Sequence, residues 1–226
     1  MRKKTSFIEM KQEEIKFFIG IDLGWKEKKT TGICVLGKNG RPQICKDIVG
    51  KNVLRVIQPY LKSIQEIAID APLTRGRGKG KLRLYEKFLL TKTFRQEKVA
   101  PIPPALMSKL CDFARELVEK LEEKRFVLNI NLIEAFPTLL KKICKKELIL
   151  KSHLCQGENQ ESALLCAQLA LWHSQFKTRY LGYKDGFLFL PEMSFWKKEW
   201  RQKFYQAWVE RERLKYHHLI TNIFSK

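Results

Sequence analysis

Residues 16–36 read KFFIGIDLGWKEKKTTGICVL, two runs rich in β-branched and aromatic residues on either side of a short polar segment. Runs of this composition favour β-strands, and the polar residues between them are typical of a turn. The stretch therefore predicts a hairpin that opens the fold. It also places one carboxylate, Asp22, inside the first strand.

Further along the chain, strand-like and helix-like patterns alternate. An apolar strand is predicted at 67–70, and we expect it to be central because both of its faces are apolar. The other predicted strands cover 43–49, 127–133 and 184–191. Predicted helices cover 53–63, 105–123, about 158–176, a segment starting at Pro137 and a C-terminal segment from Ser194.

These patterns predict one α/β domain, an RNase H-like mixed sheet flanked by helices. We place this domain at 16–191, after a basic segment at 1–15 and before an amphipathic helical extension at 192–226. A chain of 226 residues suits one hydrophobic core of this kind.

The protein is strongly basic, with 44 Lys and Arg against 24 Asp and Glu and a formal net charge of +20. Such an excess attracts polyanions, so nucleic acid, DNA or RNA, is the expected partner, although a basic surface also serves solubility. No apolar run approaches the roughly 20 residues of a membrane helix, and the first residues do not resemble a secretion signal. We therefore expect no membrane association and a cytoplasmic location.

Cysteine spacing points to neither zinc nor disulfides. Six cysteines are scattered along the chain without any C-x-x-C pair. We therefore predict reduced and mostly buried thiols at Cys34, Cys45, Cys111, Cys144, Cys155 and Cys166.

Three acidic residues occupy comparable positions: Asp22 in the first strand, Asp70 at the end of the apolar strand and Glu134 at the end of a later one. Ends of parallel strands meet at one edge of a sheet, so the three carboxylates can converge. Buried carboxylates are costly unless a cation balances them, and oxygen ligands favour Mg²⁺ or Mn²⁺. Each aspartate alone is also compatible with capping a turn.

A basic segment lies between the second and third of these strands. Five of its residues are predicted to position phosphates: Arg75, Arg77, Lys79, Lys81 and Arg83. Its glycines do not form the G-x-x-x-x-G-K-[ST] pattern of a nucleotide-binding P-loop. We therefore interpret the segment as a flexible loop that follows a phosphate backbone, or else as a solvated linker.

Several short motifs follow one another in the order of a known family. They are Gly20-Ile21-Asp22, Ile69-Asp70-Ala71-Pro72, Arg83-Leu84-Tyr85-Glu86, Ile133-Glu134-Ala135-Phe136-Pro137 and Ser162-Ala163-Leu164-Leu165-Cys166-Ala167. By these motifs, over about 17–191, the chain resembles the domain of unknown function 429 family, predicted nucleases with an RNase H-like fold. The resemblance implies that Asp22, Asp70 and Glu134 bind metal and take part in catalysis.

The chain departs from the family pattern at one position, because Ser162-Ala163 stands where the family usually has Asp-Ala. Glu161 is the neighbouring residue, and Glu158 lies about one helical turn earlier. Either can supply the missing carboxylate, as a metal ligand and, for Glu161, as a catalytic residue. Without a replacement, activity would be weak or absent.

The sequence thus predicts a divalent-metal-dependent nuclease, with two alternatives. The first is a catalytically weak or inactive nucleic-acid-binding module. The second is an actin-like phosphotransfer or ATP-binding relative, because 18–24, FIGIDLG, resembles the first phosphate loop of that class. The C-terminal aromatic residues Trp196, Trp200, Phe204 and Trp208 are predicted to pack internally, with base stacking as the lesser alternative.

Overall fold

A mixed sheet of five strands lies at the centre of the computed structural model, which describes residues 16–76, 79–214 and 218–225. The predicted basic segment 1–15 lies outside the described residues. In chain order the strands are β1 (Phe17–Asp22), β2 (Thr31–Gly37), β3 (Pro42–Ile48), β4 (Ile64–Asp70) and β5 (Leu132–Glu134).

The order of strands across this sheet is β3-β2-β1-β4-β5. Strand β2 pairs antiparallel with both β1 and β3, which confirms the predicted opening hairpin. Strand β4 runs parallel to β1, and β5 runs parallel to β4. The apolar strand β4 is an interior strand, as expected, but the middle position belongs to β1. The carboxyl ends of β1, β4 and β5 therefore lie at one edge of the sheet.

Helices cover both faces of this sheet, so the predicted α/β class is confirmed. They are α1 (Val53–Ile57), α2 (Leu84–Leu89), α3 (Lys92–Gln96), α4 (Ser108–Glu122), α5 (Pro137–Ile143), α6 (Glu158–Ser174) and α7 (Lys198–Glu210). Within the described ranges, no helix combines the length and the apolar character that a membrane crossing requires.

The two faces of the sheet bury separate apolar clusters. One cluster combines α6 with alternate sheet residues such as Phe18 and Ala68. The other cluster combines α1 and α4 with the strand residues that alternate with the first set, such as Ile19 of β1 and Ile67 of β4. This division follows from the strand pleat, which sends successive side chains to opposite faces.

Helix α6 approaches the sheet closely because both surfaces carry small residues. Gly20 of β1 faces the helix backbone at Ala163 and Ala167, and Gly32 of β2 faces it at Asn159. The close approach brings the first turns of α6 next to the carboxyl end of β1.

A methyl group at Gly20 should destabilise the protein by about 2 to 3 kcal/mol, because the added Cβ would overlap the Ala163 carbonyl oxygen and the Ala167 amide nitrogen. Gly157→Ala is the matched control, since a Cβ there meets no atom within 4 Å. Its cost should stay below about 1 kcal/mol. Urea unfolding compares the two variants, and equal losses of stability would contradict the close packing.

A second, smaller sheet joins the C-terminal residues to the domain. It contains β6 (Thr178–Tyr183), β7 (Gly186–Pro191) and β8 (Ile220–Thr221) in the antiparallel order β7-β6-β8. The β structure predicted at 184–191 is thus one strand of a hairpin. Because β8 belongs to the predicted extension 192–226, the extension contributes to a sheet of the domain.

Aromatic residues in and just before the C-terminal helix α7 face the core of the protein. Trp196, Trp200 and Phe204 are buried and belong to the same apolar cluster as Phe88 of α2 and Phe94 of α3. Internal packing, the favoured prediction, is therefore confirmed at these three positions. Base stacking is excluded there, because the rings are not accessible.

Two predicted elements are shorter than expected. The helix predicted at 53–63 ends as an α-helix at Ile57 and continues as a 3-10 turn around Pro59, whose ring cannot be accommodated in a helix interior. The strand predicted at 127–133 is reduced to β5. A turn precedes β5, with Asn129 at a φ of 66°.

The prediction of six reduced thiols is wrong for one pair of cysteines. Cys45 of β3 and Cys155, just before α6, form a disulfide with their Cα atoms 5.7 Å apart. A sequence separation of 110 residues leaves no local spacing that could signal the bond. The other cysteines are free and buried, as predicted: Cys34, Cys111, Cys144 and Cys166.

Glu66 of β4 provides a pH-dependent contribution to stability. Its Oε2 is buried without a hydrogen-bond partner among the described residues, and burial raises the pKa of Glu66 from 4.5 to about 8. The folded protein therefore holds this proton more tightly than the unfolded chain. The resulting stability is present below about pH 4.5 and is lost as the pH rises through 8.

Glu66→Gln removes this titration. The variant should match the wild type at acidic pH and exceed it by about 2 kcal/mol above pH 8. The measurement is the free energy of unfolding in urea across this pH range. A difference between the two proteins that does not change with pH would contradict the assignment.

Candidate functional site

Asp22 and Asp70 end two neighbouring parallel strands. The register of β1 and β4 places Asp22 directly opposite Asp70. Alternation along the strands sends both side chains to the face that α6 covers, the face of Ala68. The structure thus brings these two predicted site residues together.

The two carboxylates repel each other, and the charge of Lys141 offsets part of that repulsion at Asp22. Neither makes a hydrogen bond or an ion pair with any residue in the described part of the chain. Burial raises the pKa of Asp22 to about 6, against a lowering effect of Lys141 and with a further increase from Asp47. Burial also raises the pKa of Asp70 well above its usual value, and Asp22 and Glu134 add to the increase.

Glu134, the third predicted ligand, is occupied by hydrogen bonds from the protein. Its Oε2 accepts from the Leu73 amide at 3.0 Å and from the Arg83 guanidinium at 2.5 Å. Its Oε1 accepts from the Tyr85 hydroxyl. Glu134 therefore lies at the site without a carboxylate oxygen that is free of protein donors.

The strand register explains this difference between Glu134 and the aspartates. Strand β5 pairs Glu134 with Ile69, one residue before Asp70. A shift of one residue sends a side chain to the opposite face of a sheet, so Glu134 starts on the face away from α6. The sequence places all three acids at strand ends but does not reveal this offset.

Arg83 was predicted to contact phosphate, and this prediction is wrong. Only 1% of its side chain is exposed, and its guanidinium forms ion pairs with Glu86 at 2.6 Å and with Glu134 at 2.5 Å. It also lies over the Tyr85 ring, 4.7 Å from the centroid. Arg83 thus compensates two buried carboxylates in the interior, where an unpaired charge is costly.

Sequence reasoning missed this buried network, although one signal was present. Arg83 and Glu86 have the three-residue spacing of a helix-capping pair, and the Arg83 amide donates to Glu86 Oε2 at 2.7 Å. The network also anchors the preceding loop, since Leu73 donates to Glu134. It holds the loop after β4 against β5 and α2.

The acids predicted to replace the family's missing aspartate lie on the surface and not in the cavity of the pair. Glu158 and Glu161 are exposed at the start of α6, and Glu161 lies 3.5 Å from Lys141. Neither lines the cavity that contains Asp22 and Asp70. The α6 side chain that interacts with both aspartates is Cys166, and burial and then the two charges raise its thiol pKa well above the usual value.

A cavity of about 270 Å³ opens at this edge of the sheet. Its polar lining contains four carboxylates and one guanidinium: Asp22, Asp70, Glu86, Glu134 and Arg83. The cavity is therefore acidic in a protein whose overall charge is +20. Among the residues that the structure describes, no group of three or more His, Cys, Asp and Glu is arranged to hold a metal ion.

Two of the predicted phosphate-contacting residues converge on a second, smaller cavity. Arg75 and Lys81 are exposed and line it together with Ser108 and Arg115 of α4. Arg115, which also pairs with Asp112, was missed because it lies on the next long helix. Arg77 and the side chain of Lys79 lie outside the described residues.

No family model, no curated protein and no solved structure matches this chain. The family resemblance of its motifs therefore stays a prediction.

Proposed function

We propose that the protein is a divalent-metal-dependent nuclease built on an RNase H-like sheet and related to the domain of unknown function 429 family. The observation that carries this proposal is the pairing of Asp22 with Asp70 in an acidic cavity without a partner among the described residues. Two strand-end carboxylates that repel each other require a cation for both to be ionised at neutral pH. The order of the five strands agrees with an RNase H-like core.

The two available carboxylates suit Mg²⁺ or Mn²⁺ in an open site, and they are too few for a site in which protein groups supply every ligand. Asp22 and Asp70 would hold the ion, while the oxygens of Glu134 are already occupied. Mg²⁺ in proteins usually keeps several waters and binds through one or two carboxylates plus substrate phosphates. When bound, such an ion supplies an activated water and stabilises the leaving oxygen of a phosphodiester.

The remaining residues of the site would position these groups. Arg83, Tyr85 and Glu134 fix the loop that follows β4 to strand β5. This attachment would hold Asp70, the last residue of β4, in place. Arg75 and Lys81 are exposed cations that would attract the phosphate backbone of DNA or RNA. Binding should therefore weaken with added salt.

The missing third carboxylate favours one alternative, a nucleic-acid-binding module without efficient catalysis. Cys166, the α6 residue whose thiol pKa both aspartates raise, is not an acid, and Glu158 and Glu161 do not line the cavity. A cytoplasmic location belongs to the proposal as well. In that compartment the Cys45–Cys155 pair would be exposed to reducing conditions.

Calorimetric titration with Mn²⁺ tests the metal site, and cleavage of labelled DNA, RNA and hybrid strands tests the activity. We expect the wild type to bind Mn²⁺ and to cleave, and Asp22→Asn to do neither. Salt-sensitive binding without cleavage would favour the binding module. ATP turnover without cleavage would favour the actin-like alternative.

A further inference from the structure

The cavity that contains the aspartate pair has mostly apolar walls. Part of the wall comes from 101–110, the segment that leads into α4. This segment contributes Pro101, Ile102, Met107 and Leu110. The composition differs from that of a purely ionic cleft, because a phosphate and a metal alone do not require apolar surface.

The backbone of this apolar wall is restricted by its sequence. Pro101, Pro103 and Pro104 restrict the backbone φ angles, and the Leu106 amide donates to the Pro103 carbonyl at 2.9 Å. Between the prolines, Ile102 is 57% exposed at the cavity. A preformed wall loses little conformational entropy when a ligand binds.

The volume limits what can reach the acids. About 270 Å³ lies just below the roughly 300 to 1,000 Å³ of typical small-ligand pockets. A cavity of this size accepts one nucleotide unit and excludes an intact duplex. Enzymes that react with a nucleobase flip it out of the stack into a pocket, and a cavity of this size allows a base to be held in the same way here.

We infer that this cavity binds one unstacked nucleobase beside the scissile phosphate, so that the preferred substrate is single-stranded nucleic acid or a strand with an unpaired end. This inference rests on the proposed function. A base has an apolar face for the Ile102 and Met107 wall and no charge to conflict with the carboxylates.

The same lining predicts weak base selectivity. The Tyr85 hydroxyl and the carboxylates of Glu86 and Glu134 make hydrogen bonds within the network, and the Arg83 Nε, which has no partner among the described residues, is buried. These groups therefore offer little hydrogen bonding to a base. Stacking against apolar and aromatic surface tolerates all bases. We therefore expect discrimination by strandedness rather than by sequence.

The test compares one labelled strand, alone and in a blunt duplex, for cleavage with Mn²⁺ and for binding by fluorescence anisotropy without metal. The wild type should cleave the single strand at least about tenfold faster than the duplex. Ile102→Ser should weaken single-strand binding about five- to tenfold. Leu106→Ser is the matched control, because Leu106 lies on the same segment, is 77% exposed and does not line the cavity.

The outcomes separate this inference from the proposed function. Equal cleavage of both substrates, or equal binding by the two serine variants, would overturn the inference and leave the nuclease proposal intact. Single-strand binding that only Ile102→Ser weakens, without any cleavage, would support the base cavity and overturn the nuclease proposal. Thermal unfolding of both variants checks that a loss of binding does not come from a loss of folding. Met107→Ser is a second variant of the cavity wall and should also weaken single-strand binding.

Discussion

Asp70→Asn should lower Mn²⁺-dependent cleavage by about a hundred- to a thousandfold, the largest effect on activity expected from a single substitution. The amide keeps the shape of the carboxylate but removes one of the two charges at the carboxyl ends of β1 and β4. Loss of one preorganised charged group at a reacting centre commonly has an effect of this size. Single-turnover cleavage of a labelled oligonucleotide measures it.

The same substitution should leave the metal-free protein at least as stable as the wild type. Burial, Asp22 and Glu134 all raise the pKa of Asp70, so its ionised form opposes folding at neutral pH. Glu158→Gln is the matched control, since Glu158 is an exposed acid outside the cavity. Cleavage by Asp70→Asn at the level of this control would remove Asp70 from the proposed site.

Arg83→Ala should destabilise the protein by about 3 to 5 kcal/mol, the largest effect on stability that we expect. The change leaves Glu86 and Glu134 without their shared cation. Removal of one partner of a buried ion pair is strongly destabilising, because the remaining charge is buried without compensation. It also removes packing over Tyr85. Urea unfolding at neutral pH measures the loss.

Two further variants serve as controls for that result. Arg55→Ala, at an exposed arginine of α1, should change stability by less than about 0.5 kcal/mol. Arg83→Ala combined with Glu134→Gln should recover part of the loss, because it removes one uncompensated charge. If Arg83→Ala were as stable as Arg55→Ala, the buried network would not contribute to the fold.

Much of the fold could be predicted because periodic patterns report burial directly. The hairpin from Phe17 to Gly37 and the apolar strand ending at Asp70 both follow from local composition. The site was predictable only in part. Strand ends identify Asp22 and Asp70, but one-residue differences in register decide which face a third acid reaches, as Glu134 shows.

Arg83 shows the same limit for charged residues. In the sequence it continues a basic segment with Arg75 and Lys81, and its three-residue spacing from Glu86 is a weak local sign that it differs from them. Whether a cation contacts solvent or compensates buried carboxylates depends on residues that are distant in the chain, here Glu134. The disulfide between Cys45 and Cys155 depends on equally distant contacts.

The sequence by itself determined the α/β class, the opening hairpin, the strong positive charge and the two aspartates at strand ends, because each depends on local composition or on simple counts. Only the tertiary structure decided that Asp22 faces Asp70, that Glu134 and Arg83 compensate each other and that apolar residues of 101–110 line the cavity. These features require register and packing between distant segments, which local residue patterns do not encode.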